Sequence, residues 1–198
     1  MTPRLWTASE IEAGSPPAAD LPPLARILRW AKEFLVPGHP DLGRTGPVCP
    51  YTRPALRRDL FHLGLGGSGD LRETLTGLRA AYTATLSTMD SSDAELLTYV
   101  LVLPAADPDE IDTVQRELKS RFVADGLMLG QFHPHCAEPG LWNQEFRPLR
   151  SPLPLLAIRR LLPVDLPFLL AEPGQLDAYL ARFAPGIPAR LRAQLIFR

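Results

Sequence analysis

Apolar residues recur with a helical period in the first long patterned segment of the chain. In "LARILRWAKEFL", Leu24, Ile27, Leu28, Ala31, Phe34 and Leu35 fall on one stripe, and Pro37 ends it. The pattern then breaks. Pro37, Pro40, Pro47, Pro50 and Pro54 punctuate the connection "PGHPDLGRTGPVCPYTRPALRRD", which has no periodicity. A loop this long in a compact domain is either functional or disordered. Beyond it the pattern becomes regular. "DLFHLGL" reads as a short strand. "LRETLTGLRAAYTATLS" reads as a helix, with Leu71, Leu75, Leu78, Tyr82, Thr85 and Leu86 on one face. "LLTYVLVLP" is β-branched and continuously apolar, as a buried strand is.

The strongest helix signals lie in "DPDEIDTVQRELKSRFVADG". Asp107 stands at the N-cap, Pro108 in the first turn and Glu110 at capping-box spacing. Ile111, Val114, Leu118 and Phe122 form the stripe, and Gly126 closes it. "GLMLGQF" and "LPLLAIR" are two further strands, and "GQLDAYLARF" and "PARLRAQLIF" are short terminal helices. This β-α-β-α-β-β order predicts an α+β fold: a small mixed sheet with helices packed on one face and long Pro-rich loops. Residues 1–23, rich in Pro, Ala and Ser, read as a loose N-terminal arm, which leaves 24–198 as a single domain.

Composition narrows the function classes. A chain of 198 residues that is 45% hydrophobic supports one real core. A formal net charge of −1 offers no global attraction to nucleic acid or to an anionic membrane. No apolar run reaches membrane-spanning length, and the first 23 residues lack the apolar core of a secretory signal, so a cytoplasmic location is expected. Two cysteines are too few for a disulfide framework. The expected partner is a small-molecule substrate; a homo-oligomer is compatible with the chain.

Candidate chemistry concentrates in "QFHPHC", which holds two of the four histidines, His133 and His135, and one of the two cysteines, Cys136. A zinc site drawing on these and Cys49 lacks any C-x-x-C or H-x-x-x-H pair. A Cys49–His133 hydrolase lacks a marked oxyanion hole, and Pro50 removes one backbone donor. "GLGGSG", Gly64 to Gly69, matches G-x-G-x-x-G but reads better as a strand-to-helix turn. A haem site asks for less: one axial ligand, His133 or Cys49, and arginines for the propionates, here Arg53, Arg147 and Arg150. Trp142 and Phe146 are candidates for the pocket wall.

Over residues 24–170, the order "VCPYTRPAL", "LGQFHP", "NQEFRPLRSPLPLLAIR", "PVDLPFL" resembles a family of actinobacterial proteins often found near natural-product biosynthesis genes. More distantly it is similar to the YqcI/YcgG-like proteins, which resemble haem-dependent oxygenases that oxidise nitrogen on small substrates. The resemblance implies a haem-binding oxidative enzyme, an oxygenase acting on a small amine-containing metabolite. Because a neutral imidazole needs no stabilised charge, His133 is the preferred axial ligand, with Cys49 in the pocket. The reverse assignment, Cys49 as thiolate ligand with His133 on the distal side, stays open. The alternatives are a non-catalytic ligand-binding accessory protein and a Cys/His hydrolase or transferase.

Overall fold

Five strands form one mixed sheet in the order β1-β2-β3-β5-β4. The structure, a computed structural model, describes residues 2–67, 69–188 and 190–192. In chain order the elements are β1 (Trp6–Thr7), α1 (Ala8–Glu12), α2 (Leu21–Trp30), α3 (Thr52–Arg57), β2 (Phe61–Leu65), α4 (Leu71–Leu86), α5 (Ser91–Ala94), β3 (Thr98–Val102), α6 (Pro108–Ala124), β4 (Leu127–Phe132), β5 (Leu155–Arg160) and α7 (Pro173–Phe183). Three irregular turns complete the list: a π turn over Ala31–Leu35 and 3₁₀ turns over Pro40–Leu42 and Pro163–Phe168. The terminal helix expected over residues 188–197 lies mostly outside the described residues.

The α+β class and the β2-α4-β3-α6-β4-β5 order agree with the hydrophobic pattern. β2 and β3 run parallel across the α4 crossover. β5 enters antiparallel between β3 and β4, so β4 forms an edge. Asp107 caps α6 by accepting from the Asp109 N–H at 2.9 Å, while Glu110 forms no return bond. Gly126, at φ 76°, ends the helix in the left-handed conformation that glycine adopts without strain.

Two features differ from the expectation. Helices cover both faces of the sheet. On one face α4 and α6 enclose Tyr99, Leu101, Leu127, Leu129, Leu156 and Ile158. On the other, α2 and its π turn pack with α3 over Phe61, Leu63, Val100 and Val102. The N-terminal segment is also not a loose arm. Trp6 and Thr7 pair antiparallel with Leu63 and His62, and Trp6, Ala8 and Ile11 are buried in the α2-side cluster. Thr7 caps α1 in a reciprocal box with Glu10, and the Ser9 hydroxyl donates to Asp59 at 2.5 Å. Sparse apolar residues between prolines hid this segment: two side chains and a two-residue strand suffice once an open sheet edge receives them.

No helix among the described residues is long and apolar enough to cross a membrane.

Candidate functional site

The α2 side of the sheet is only half covered. α2 packs over β2 and β3, whereas the helix that packs most closely on β4 and β5, α6, lies on the opposite face. The uncovered half has a floor of two small residues, Gly130 and Ala157, which are register partners. A Cβ placed on Gly130 would meet only the Phe132 ring within 4 Å, at 3.4 Å. Trp30 and Phe132, in edge-to-face contact at 5.8 Å, bound this shelf at the carboxyl end of β4. Cys49, half-buried, belongs to the same apolar cluster. Its backbone is fixed by the π turn: the Cys49 N–H donates to the Leu35 carbonyl at 2.8 Å and the Val48 N–H to Pro37 at 2.9 Å. The Leu35 carbonyl is one of those left unpaired where the helix ends, and Cys49 uses it.

At the other end of the shelf is an ion pair absent from the sequence reading. Arg159 makes a two-point contact with Asp165, at 2.7 and 2.6 Å, and Asp165 is 1% exposed. Asp165 also accepts from the Leu162 N–H at 2.8 Å, so the carboxylate is held by three donors. Burial opposes the charge on Arg159, but Asp165 outweighs it and holds the guanidinium above its ordinary value, with Cys49 and Tyr51 acting in the same direction. Burial pushes the Tyr51 phenol up, Arg159 pulls it down, and Asp165, Cys49 and Glu95 push it further up. One signal in the sequence marked Arg159: it occupies the same alternating register as Leu155 and Ala157, and a charge on an inward face needs a partner.

Beyond Trp30 the π turn presents Phe34 to a solvent-open cleft of about 490 Å³. Phe34 and Phe146 form its apolar wall, with His39 against Phe146 at 4.8 Å. Arg147 and Arg150 reach the cleft from one loop, with Asp41 and Glu145 beside them. Asn143 stitches the two loops together, donating to the Asp41 carbonyl at 2.8 Å and accepting from the Glu145 N–H at 2.9 Å. Gly43 allows the close approach: its φ is +78°, and a Cβ there would lie 2.8 Å from the Trp142 carbonyl oxygen.

The residues singled out from the sequence therefore divide. Arg147 and Arg150 share the cleft. Arg53 lies on α3 and donates to the Val36 carbonyl at 3.3 Å, capping the helix end. Trp142 is 66% exposed, with its backbone against Gly43, and lines neither the shelf nor the cleft. His133 projects to the α6 side. Its Nε2 stands 3.1 Å from Asp112 Oδ1, and its Nδ1 is buried with no partner among the described residues. With the Asp112 carboxylate as acceptor, Nε2 carries the proton and Nδ1 is a lone acceptor. The ring as a whole is 4% exposed. The His133 carbonyl accepts from the Cys136 and Ser151 N–H groups, so the residue ties β4 to α6 and to the returning loop. Burial pushes the Cys136 thiol up despite a hydrogen bond from Glu138, which describes an unreactive cysteine. No hydrogen bond joins either thiol to an imidazole, and no cluster of three metal-ligating side chains occurs among the described residues.

A family model described as a domain of unknown function, DUF6875, matches residues 24–194. The chain belongs to this family. The match begins just inside α2, so β1 and α1 precede it, while the shelf and the cleft both lie within it. No curated protein and no solved structure matches.

Proposed function

We propose that this chain is a haem-binding oxidative enzyme acting on a small amine-containing metabolite, and that Cys49 is the residue that would hold the haem. The observation that supports the reading is the shelf: the small residues Gly130 and Ala157 side by side on the sheet, with Ala157 in the same cluster as a thiol whose backbone is held in place. A planar macrocycle needs a floor without projecting side chains, and Gly130 and Ala157 provide one. The donor set also suits the group. A soft thiolate is an accepted haem ligand. The sequence resemblance set out above points the same way.

When bound, haem supplies the oxygen or peroxide chemistry. The work left to the chain is local. Cys49 would hold the group, and Pro50 and the Leu35 carbonyl fix the direction of its backbone. Asp165 fixes the position of the Arg159 guanidinium at the end of the shelf. The Tyr51 phenol, pushed up by burial, keeps its proton and serves as a hydrogen-bond donor beside Arg159. Trp30 and Phe132 exclude water on the side facing the cleft.

Adding haem to the isolated protein and recording its visible spectrum tests this. A Soret band is expected that survives His133→Gln and is lost or strongly shifted in Cys49→Ser. Ala157→Leu, which fills the shelf, should prevent loading while leaving the far-ultraviolet circular dichroism unchanged. A protein that stays colourless, or a band indifferent to both Cys49→Ser and Ala157→Leu, overturns the reading. The cleft supports a second reading, ligand binding without chemistry, because its charged groups are complete without a cofactor.

A further inference from the structure

The cleft at the carboxyl end of β4 carries charges of both signs that the fold does not use. Arg147 is anchored through Nη1 to the carbonyls of Gln144 and Phe146, and Arg150 through Nε to the Cys136 carbonyl at 3.3 Å. Neither forms an ion pair among the described residues. Each guanidinium thus has its stem held by backbone and other N–H groups to spare, as suits a carboxylate. Beside them, Asp41 and Glu145 have no lysine or arginine partner among the described residues; Asp41 meets only His39, at 3.8 Å. Both acids sit on backbone fixed by Asn143. Phe34 and Phe146 give the same cleft an apolar wall.

We infer that this cleft binds a small zwitterion: a free α-amino acid with an apolar or aromatic side chain. Its carboxylate meets Arg147 and Arg150, its ammonium meets Asp41 or Glu145, and its side chain lies on Phe34 and Phe146. A simple anion would leave two carboxylates facing it, and a simple cation would face two guanidiniums. Only a ligand with both charges satisfies the whole lining. The volume of about 490 Å³ suits a molecule of this size and leaves the mouth open to exchange. The inference needs no haem, so it stands or falls separately from the oxidative reading.

Isothermal titration of the haem-free protein with L-phenylalanine and L-leucine tests it, with phenethylamine and 3-phenylpropionate as single-charge controls. Saturable binding of at least one amino acid is expected, with each control at least about tenfold weaker, the loss that follows from one unmatched charged contact. Arg150→Gln and Asp41→Asn, both at exposed side chains, should each weaken binding by a similar factor without changing the unfolding midpoint. Arg150→Lys, which keeps the charge but not the fork, should recover part of the loss. No saturable heat with either amino acid overturns the inference. So does 3-phenylpropionate binding as tightly as L-phenylalanine, or affinity unchanged in both Arg150→Gln and Asp41→Asn.

Discussion

His62 lies in the middle of β2 with its Nε2 3.1 Å from the Asp59 carbonyl and its ring stacked on Tyr99 at 5.4 Å. Burial lowers its affinity for a proton below the ordinary value of 6.5, although the Asp59 carbonyl works the other way. The unfolded chain takes up that proton first as pH falls. The contribution of His62 to stability is therefore complete above about pH 6.5 and is lost as pH drops through the lower folded value. Urea unfolding between pH 7 and pH 5 should show stability falling by up to about 1.4 kcal/mol per pH unit more steeply than in His62→Gln. Parallel slopes would assign the effect elsewhere. In the sequence His133 differs from His62 by the proline that follows it. Residue type and a neighbouring proline were visible; which side of the sheet each ring faces was not. His133 follows Phe132 in strand alternation, so it points to α6 while the shelf lies on the Phe132 side. Arg159 was readable in principle, because its register was visible once β5 was recognised.

Among the elements, those with a period were legible. α4, α6 and the strands β2 to β5 follow stripes or apolar runs, and Asp107 and Gly126 mark the ends of α6 as their chemistry requires. α3, β1 and the π turn were not, because each depends on tertiary partners: α3 is six residues inside a proline-rich loop, and the π turn differs from an α-helix by one hydrogen-bond step. The loops that form the cleft depend on Gly43 in a way that can be measured. Gly43 and Gly14 share a left-handed backbone, at φ 78° and 73°, but only Gly43 faces a neighbour, the Trp142 backbone. Gly14→Ala should cost about 1 kcal/mol from conformation alone. Gly43→Ala should cost at least 1 kcal/mol more, and should weaken ligand binding in the cleft by parting Asn143 from Asp41. Equal shifts in thermal midpoint for the two variants would mean that the loop yields without strain.

At the scale of the whole molecule, the two-sided cover of the sheet was the part least open to prediction. Helical stripes say that a face is buried, not which side of a sheet receives it. The α2 stripe and the α4 stripe are alike in sequence, yet they lie on opposite faces. The N-terminal segment bears on stability as a whole. A chain begun at Asp20 would keep α2 intact but lose β1 and the burial of Trp6 and Ile11. Its denaturation midpoint should fall by an amount equivalent to roughly 4 kcal/mol, from two large side chains at about 2 kcal/mol each. An unchanged midpoint would restore the reading of residues 1–23 as a loose arm. The placement of β5 has a further consequence during synthesis. A nascent chain leaves the ribosome N-terminus first, and β5 is the last strand to emerge although it lies between β3 and β4. Until Arg160 is free, β4 has no strand beside it and β3 has one open edge. The shelf, whose floor is half Ala157, does not exist before then, so no ligand can be captured there by a half-made chain.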